Sequence, residues 1–188
     1  VLSTSLSISG NTEVQGAEWG MSITDFRAIT TGTATYTSPS IEGTTLSNYT
    51  VSLTKPGDSV EFSFFAKNTG SIAAEIASII NSTPVCTSTT GNTADAEMVC
   101  NNLKITFSHI SLEIKVGEIY PANSTAYCLP DDPNTGKDGM FYLLIEYDSN
   151  ATSVPTSSVT ISNLKNQINF IQTDKECNIR QGDIIEPF

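Results

Sequence analysis

The sequence YTVSLTKPGDSVEFSFFA, at residues 49–66, decides the fold. Apolar residues occupy every second position on both sides of a central Lys55-Pro56-Gly57-Asp58. Alternation with a period of two is typical of a half-buried β-strand, because successive side chains point to opposite faces. Pro followed by Gly suits the central positions of a type II turn, where the second residue needs a positive φ. We therefore predict two strands joined by this turn as a β-hairpin.

Alternating segments recur along most of the chain. Further strands are predicted at residues 19–24, 103–107, 112–116, 141–147, 159–164 and 168–172. In the segment 141–147, Tyr142 and Leu144 lie opposite the main apolar row, so both faces of that strand are expected to be covered. About ten short strands separated by Gly, Pro and Asn turns predict an all-β fold with two packed antiparallel sheets.

The segment 71–80 fits either a helix or a strand. A helix would place on one stripe Ile72, Ala73, Ile76, Ile79 and Ile80. A strand would place on its inward face Ile72, Ala74, Ile76 and Ile80. Because the neighbouring segments have a strand pattern, we predict a strand here.

Charge and hydropathy narrow the class of protein. The 188 residues include 9 Lys and Arg against 20 Asp and Glu, for a formal net charge of −11. Binding to nucleic acid needs clustered basic residues, which this chain lacks. No window of about 18 apolar residues occurs, so we expect no membrane insertion. Residues 1–10 lack the basic start and apolar run of a signal peptide, and we expect a mature chain whose export sequence has been removed.

The four cysteines are Cys86, Cys100, Cys128 and Cys177, and none forms a CxxC pair. An even number without closely spaced ligand pairs favours disulfides over a zinc site. Three pairings are possible. We predict Cys86–Cys100 and Cys128–Cys177, because the first two cysteines bracket a loop that has no strand pattern. Disulfides persist in oxidising compartments, which predicts an extracellular, secreted protein.

Four asparagines match the Asn-X-Thr pattern of N-glycosylation, and they are Asn48, Asn81, Asn123 and Asn150. In a chain rich in Asn, Ser and Thr some matches arise by chance. These four are therefore candidate sites in a source that glycosylates its proteins.

Motifs that carry enzyme chemistry are missing from the sequence. It contains no HExxH, no GxSxG and no glycine-rich phosphate loop. His109, the only histidine, stands at a strand end with no Ser or Cys motif to complete a catalytic group. The acidic stretch 131–139 fails the spacing of a calcium loop, because Gly136 takes a ligand position and Leu143 replaces the bidentate Glu. We predict no enzyme, no metal site and no cofactor.

Several segments together carry a family resemblance. They are LSISGNTEV (6–14), AEWGMSI (17–23), YTVSLTKPGDSVEFSF (49–64), KNTGSI (67–72), LIEY (144–147), VTISNL (159–164) and INFIQ (168–172). In this order they resemble the TasA and camelysin family of secreted biofilm-matrix proteins. The resemblance implies a jelly-roll subunit that polymerises outside the cell by lending its N-terminal strand to a neighbour. The protease activity described for camelysin is not implied, because this chain lacks the histidines of a zinc site. The segment 86–100 and the tail from Cys177 have no counterpart in the family pattern.

Residues 1–11 are predicted to form a donor strand, and residues 12–188 a single jelly-roll sandwich domain. Leu2, Leu6 and Ile8 share one face, serines line the other, and Gly10 with Asn11 suits a hinge. A strand added to an open sheet edge gains main-chain hydrogen bonds and fills apolar pockets. The open alternative is an ordinary first strand that pairs within its own sheet.

Two function hypotheses follow. The first is a structural subunit of an extracellular filament, a homopolymer of this chain formed by donor-strand exchange. The second is a monomeric secreted adhesin or glycan-binding module that uses exposed aromatic side chains such as Tyr36, Tyr120 or Tyr127.

Overall fold

The computed structural model describes residues 20–68, 74–109, 112–115, 128–129 and 137–172. This part of the chain contains one helix, α1 (Thr93–Asn101), and twelve strands. The strands are β1 (Met21–Thr31), β2 (Thr35–Tyr36), β3 (Ser40–Glu42), β4 (Thr45–Leu53), β5 (Ser59–Asn68), β6 (Ala74–Asn81), β7 (Val85–Ser88), β8 (Leu103–His109), β9 (Leu112–Lys115), β10 (Cys128–Leu129), β11 (Lys137–Tyr147) and β12 (Val159–Gln172).

The strands form two antiparallel sheets packed face to face, which confirms the predicted all-β sandwich. The first sheet has the order β1-β5-β11-β8-β9, and the second has the order β10-β6-β12-β4-β2. Strand β3 also pairs with β4, and β7 also pairs with β12. Because β4, β5 and β6 alternate between the sheets, the chain crosses the core repeatedly, and the sheets depend on each other.

The turn at residues 55–58 has the predicted geometry but a different role. The Asp58 N–H donates to the Lys55 carbonyl at 3.1 Å, and Gly57 has a φ of 89°, as a type II turn requires. However, β4 belongs to the second sheet and β5 to the first, so the predicted hairpin is wrong. Each strand has one fully buried face, and the turn brings these faces together across the core, with the Tyr49 and Phe62 rings 5.3 Å apart.

Bulges change which residues face the core in several strands, among them β6 and β12. In β6 the register slips between Ser78 and Ile76, so that Ile79 is buried and Ile80 is 43% exposed. The strand predicted at 71–80 is confirmed from Ala74 onward, but the inward placement of Ile80 is wrong. In β12 a register shift beside Asn163 absorbs an extra residue, so one strand spans the region in which two were predicted.

The segment between Cys86 and Cys100 is not the loop that its lack of a strand pattern predicted. Helix α1 occupies most of it, because the Asn92 side chain caps the first turn and accepts the N–H groups of Ala94 and Asp95 at 3.0 and 3.2 Å. Such a cap satisfies donors that have no partner within the helix. The helix buries Val99 against the sandwich.

Aromatic rings of the first sheet fill the centre of the core. Phe64 and Phe141 stack with centroids 5.5 Å apart, and Phe107 meets Phe141 edge-on at 5.9 Å. Each such ring stabilises the fold by about 1.5–3 kcal/mol when fully buried. On the opposite face of β11, Tyr142 remains 38% exposed, so the predicted cover over both faces of this strand is wrong at that residue.

Candidate assembly site

The two sheets end in edge strands of very different length. Strand β1 ends the first sheet with eleven residues, whereas β9, β10 and β2 end the other sides with four, two and two. Among the described residues, no strand lies beyond β1. A long edge strand presents a row of main-chain donors and acceptors to which another strand can pair. Strand β1 is therefore the best candidate in the described part of the chain for strand addition.

A bulge divides β1 into two halves. Asp25 adopts a φ of 54°, and the pairing with β5 skips between Thr24 and Arg27. In the first half, the Ile23 N–H donates to the Gly43 carbonyl at 2.8 Å, which ties β1 to the turn between β3 and β4. The half after the bulge is more exposed.

Apolar side chains of β1, β2 and β3 lie at the edges of the two sheets. The interior ring of Phe62 lies 5.1 Å from Phe26 of β1 and 5.4 Å from Tyr36 of β2. Ala28 lies opposite Phe62 in the ladder, and Ile41 of β3 lies opposite the buried Leu46. We name this set the seam, with Phe26, Ala28, Tyr36 and Ile41 on its rim and Phe62 beneath.

The rim of the seam is only partly covered. Tyr36 and Ile41 are 36% and 38% exposed, and Phe26 and Ala28 are half-buried. Phe62 itself is fully buried. A strand that pairs with the main chain of β1 would also bury these partly exposed apolar side chains.

Asp58 fixes the end of the seam. Its carboxylate accepts the Thr33 N–H at 2.9 Å, the Thr33 hydroxyl at 2.6 Å and the Thr54 N–H at 3.0 Å. It also accepts the Thr54 hydroxyl and the Lys55 N–H at 3.1 and 3.2 Å. These bonds join the β1–β2 connection of one sheet edge to the turn that links β4 and β5. Because β1 belongs to the first sheet and β2 to the second, the carboxylate connects the edges of the two sheets.

The charge on Asp58 is held by hydrogen bonds. Burial acts to raise the pKa of this carboxyl, but the bonds from Thr33 and Thr54 outweigh it and keep the pKa below its usual value. Gly32 permits the close approach, because a Cβ at that position would lie 2.2 Å from Asp58 Oδ1. The glycine also adopts a φ of 70°, which favours a residue without a side chain.

The Cys86–Cys100 disulfide is present, with a Cα–Cα distance of 6.0 Å, and it joins β7 to α1. Cys177 lies outside the described residues, so the Cys128–Cys177 pairing stays a prediction. Cys128 lies opposite Glu75, and Glu75 lies opposite Ile171. Two strand spacings amount to about 10 Å, and the six residues from Ile171 to Cys177 can reach about 20 Å. The pairing is therefore within reach of the chain.

The remaining predicted residues are distributed as follows. Asn48 is exposed in β4, Asn150 is exposed in the turn after β11, and Asn81 is half-buried in β6. His109 ends β8. Outside the described residues lie Leu2, Leu6, Ile8, Tyr120, Asn123, Tyr127 and the stretch 131–136.

The alternation of apolar residues did not reveal the half of β1 that lines the seam. Met21 and Ile23 have odd numbers, whereas Phe26 and Ala28, which face the same core, have even numbers. The change of phase is caused by the bulge at Asp25. An Asp within an alternating segment is the signal that could have revealed the bulge, since Asp and Asn tolerate a positive φ better than most residues.

In the part of the chain that the structure describes, the fold is a disulfide-containing antiparallel β-sandwich with one long edge strand, β1. The chain matches no known family model and no curated protein sequence. In the described ranges, no three His, Cys, Asp or Glu side chains gather closely enough to hold a metal ion. The helical structure described in this chain lacks the length and apolarity needed to cross a membrane.

Proposed function

We propose that this protein is the subunit of an extracellular filament, in which residues 1–9 of one copy pair with β1 of the next and cover the seam. The observation that carries the proposal is the eleven-residue edge strand beside partly exposed apolar side chains. Head-to-tail pairing of this kind is a heterologous contact, which extends without closing. The Cys86–Cys100 disulfide supports a location outside the cell, where such bonds persist.

The pattern of residues 1–9 fits this role. Leu2, Leu6 and Ile8 share one face of an extended strand, and that face suits the apolar rim of the seam. Nine extended residues span about 30 Å, which is long enough to cover the half of β1 after the bulge. The opposite face carries serines, which can remain in water.

Deleting residues 1–9 tests the donor, and Ile41→Asp tests the acceptor. The deletion variant should be a folded monomer that no longer forms filaments in electron micrographs. Ile41→Asp should also abolish filaments, because a carboxylate on the rim would lose its hydration when a strand covers it. Ile80→Asp is the matched control, since Ile80 is 43% exposed in the same sheet but away from the seam. Ile80→Asp should polymerise normally.

Mixing the two defective variants gives a sharper test. The deletion variant retains a seam, and Ile41→Asp retains its residues 1–9. An equimolar mixture should form dimers and stop there, because the dimer has neither a free donor nor a usable acceptor. Filaments of the deletion variant would contradict strand donation by residues 1–9. Normal filaments of Ile41→Asp would show that the acceptor lies elsewhere.

A further inference from the structure

Three of the asparagines in the glycosylation pattern lie in described segments, and their environments differ. They are Asn48, Asn81 and Asn150, followed two residues later by Thr50, Thr83 and Thr152. The reaction joins the side-chain Nδ2 to a sugar, so this nitrogen must be accessible. A glycan is also bulky and needs a surface position. The three sites can therefore be ranked from the surroundings of Nδ2.

The turn at Asn150 leaves its side chain at the surface. The backbone N–H of Asn150 donates to Asp148 Oδ1 at 2.9 Å, and the Ala151 N–H donates to the Asp148 carbonyl at 3.0 Å. These backbone bonds form the turn, and the Asn150 side chain also donates a hydrogen bond to the Asp148 carboxylate. Asn150 and Thr152 are both exposed, so the whole acceptor pattern can be reached from solvent.

Asn48 is exposed for a different reason. It is the extra residue in a bulge of β4, with a φ of 53°, and the ladder to β12 passes from Tyr49 directly to Leu46. Beside it is an open depression of about 270 Å³, whose lining includes Ser47, Thr50 and Lys165. Hydroxyl and ammonium groups can hydrogen-bond to a sugar ring. The first sugar attached to Asn48 would therefore find polar partners on the protein surface.

Asn81 has the opposite environment. Its Oδ1 accepts a hydrogen bond from Asn166 Nδ2 at 2.9 Å, while Asn166 Oδ1 accepts the Tyr49 hydroxyl. The Nδ2 of Asn81 is buried. A sugar on this nitrogen would displace Asn166 and open the contact between β6 and β12. A chain modified at Asn81 could not complete the second sheet.

We propose that Asn48 and Asn150 carry N-linked glycans in the mature protein and that Asn81 does not. In the transfer, the amide nitrogen bonds to C1 of an oligosaccharide held on a polyisoprenyl phosphate or diphosphate carrier. The bond from C1 to the carrier's phosphate oxygen breaks, the carrier leaves as its phosphate or diphosphate, and the proton lost by the amide passes to a base of the transferase and then to the medium. The two glycans would lie on the surface of the sandwich and increase its hydration.

Peptide mapping by mass spectrometry of the protein purified from its native source tests the proposal. The peptides with Asn48 and Asn150 should carry the mass of a glycan, and the peptide with Asn81 should not. Thr50→Ala and Thr152→Ala, expressed in the same source, should each remove one glycan mass, whereas Thr50→Ser and Thr152→Ser keep the acceptor pattern and should retain it. Thr83→Ala should remove none. A bare Asn48, a bare Asn150 or a glycan on Asn81 would overturn the proposal.

Discussion

Asp58 and Asp95 are both buried carboxylates that accept hydrogen bonds from backbone N–H groups and hydroxyls, but they join different parts of the sandwich. Asp58 accepts five bonds and connects the edges of the two sheets beside the seam. Asp95, in α1, accepts four bonds at 2.7–3.0 Å from Thr156 and Ser157, just before β12. The same side-chain chemistry therefore fixes a sheet edge in one region and a helix in the other.

The two regions differ in what else holds them. Helix α1 is also attached to β7 by the Cys86–Cys100 disulfide, and its first turn is capped by Asn92. Near Asp58, the described residues contain no disulfide, and the contact depends on the close approach of Gly32. Loss of a carboxylate should therefore be more damaging at Asp58, where no covalent bond replaces its function.

The largest effect is expected for Asp58→Ala. This substitution leaves the N–H groups of Thr33, Thr54 and Lys55 without their acceptor, and it should lower the free energy of unfolding by about 4 kcal/mol. Chemical denaturation followed by circular dichroism measures the change. Glu42→Ala, which removes an exposed carboxylate from β3, is the control and should have little effect. An Asp58→Ala variant as stable as the control would contradict a stabilising role for these bonds.

A somewhat smaller effect is expected when Cys86 and Cys100 are both replaced by Ser. The disulfide closes a short loop, and in the chain-entropy model its loss should cost about 3 kcal/mol. The variant without the disulfide also tests the comparison between Asp58 and Asp95. Asp95→Ala should be more damaging without the disulfide than with it, because the carboxylate then becomes the main attachment of α1.

Asp58→Ala provides the reference for that measurement. Its effect should be the same in both backgrounds, since Asp58 lies in a region that the disulfide does not join. The coupling follows from the unfolding free energies of the natural chain, the disulfide-free chain, and each Asp→Ala variant in both backgrounds. Equal effects of Asp95→Ala with and without the disulfide would show that the two attachments act independently.

The sequence predicted the sheets better than it predicted their connections. Alternation in 49–53 and 60–66 identified two strands with one buried face each, and this was correct. The same alternation is compatible with a hairpin in one sheet or a crossing between two sheets, because both bury one face. The choice depends on long-range bonds such as that from the Tyr147 N–H to the Asp58 carbonyl, which no local pattern encodes.

Residues with a positive φ explain the errors in strand length and phase. Asp25, Asn48 and Asn163 adopt φ values of 54°, 53° and 58° within strands β1, β4 and β12. Each lies at a register shift, where one extra residue moves the following side chains to the other face. The rim of the seam was missed at Phe26 for this reason. Tyr36, a candidate for glycan binding, packs its ring against that of Phe62 in a T-shaped arrangement.

Lowering the pH should reduce the stabilisation that Asp58 and Asp95 give to the fold. This is the smallest of the expected effects. The bonds from Ser157 and Thr156 keep the pKa of Asp95 below its usual value, and those from Thr33 and Thr54 do the same for Asp58 against the effect of burial. A carboxyl whose pKa is lower in the folded state stabilises the fold above its unfolded pKa. This contribution is lost as the pH falls through the folded value, so stability should decline below about pH 4.

Asp58→Asn and Asp95→Asn distinguish the two sites in this acid range. Each variant lacks one ionised carboxylate at every pH, so its difference from the natural chain should shrink between about pH 6 and about pH 2. The shrinkage for each variant should report how far the fold lowers the pKa of that carboxyl. Thermal unfolding at several pH values provides the measurement. Curves that stay parallel to that of the natural chain would mean that neither carboxylate contributes to the acid sensitivity of the fold.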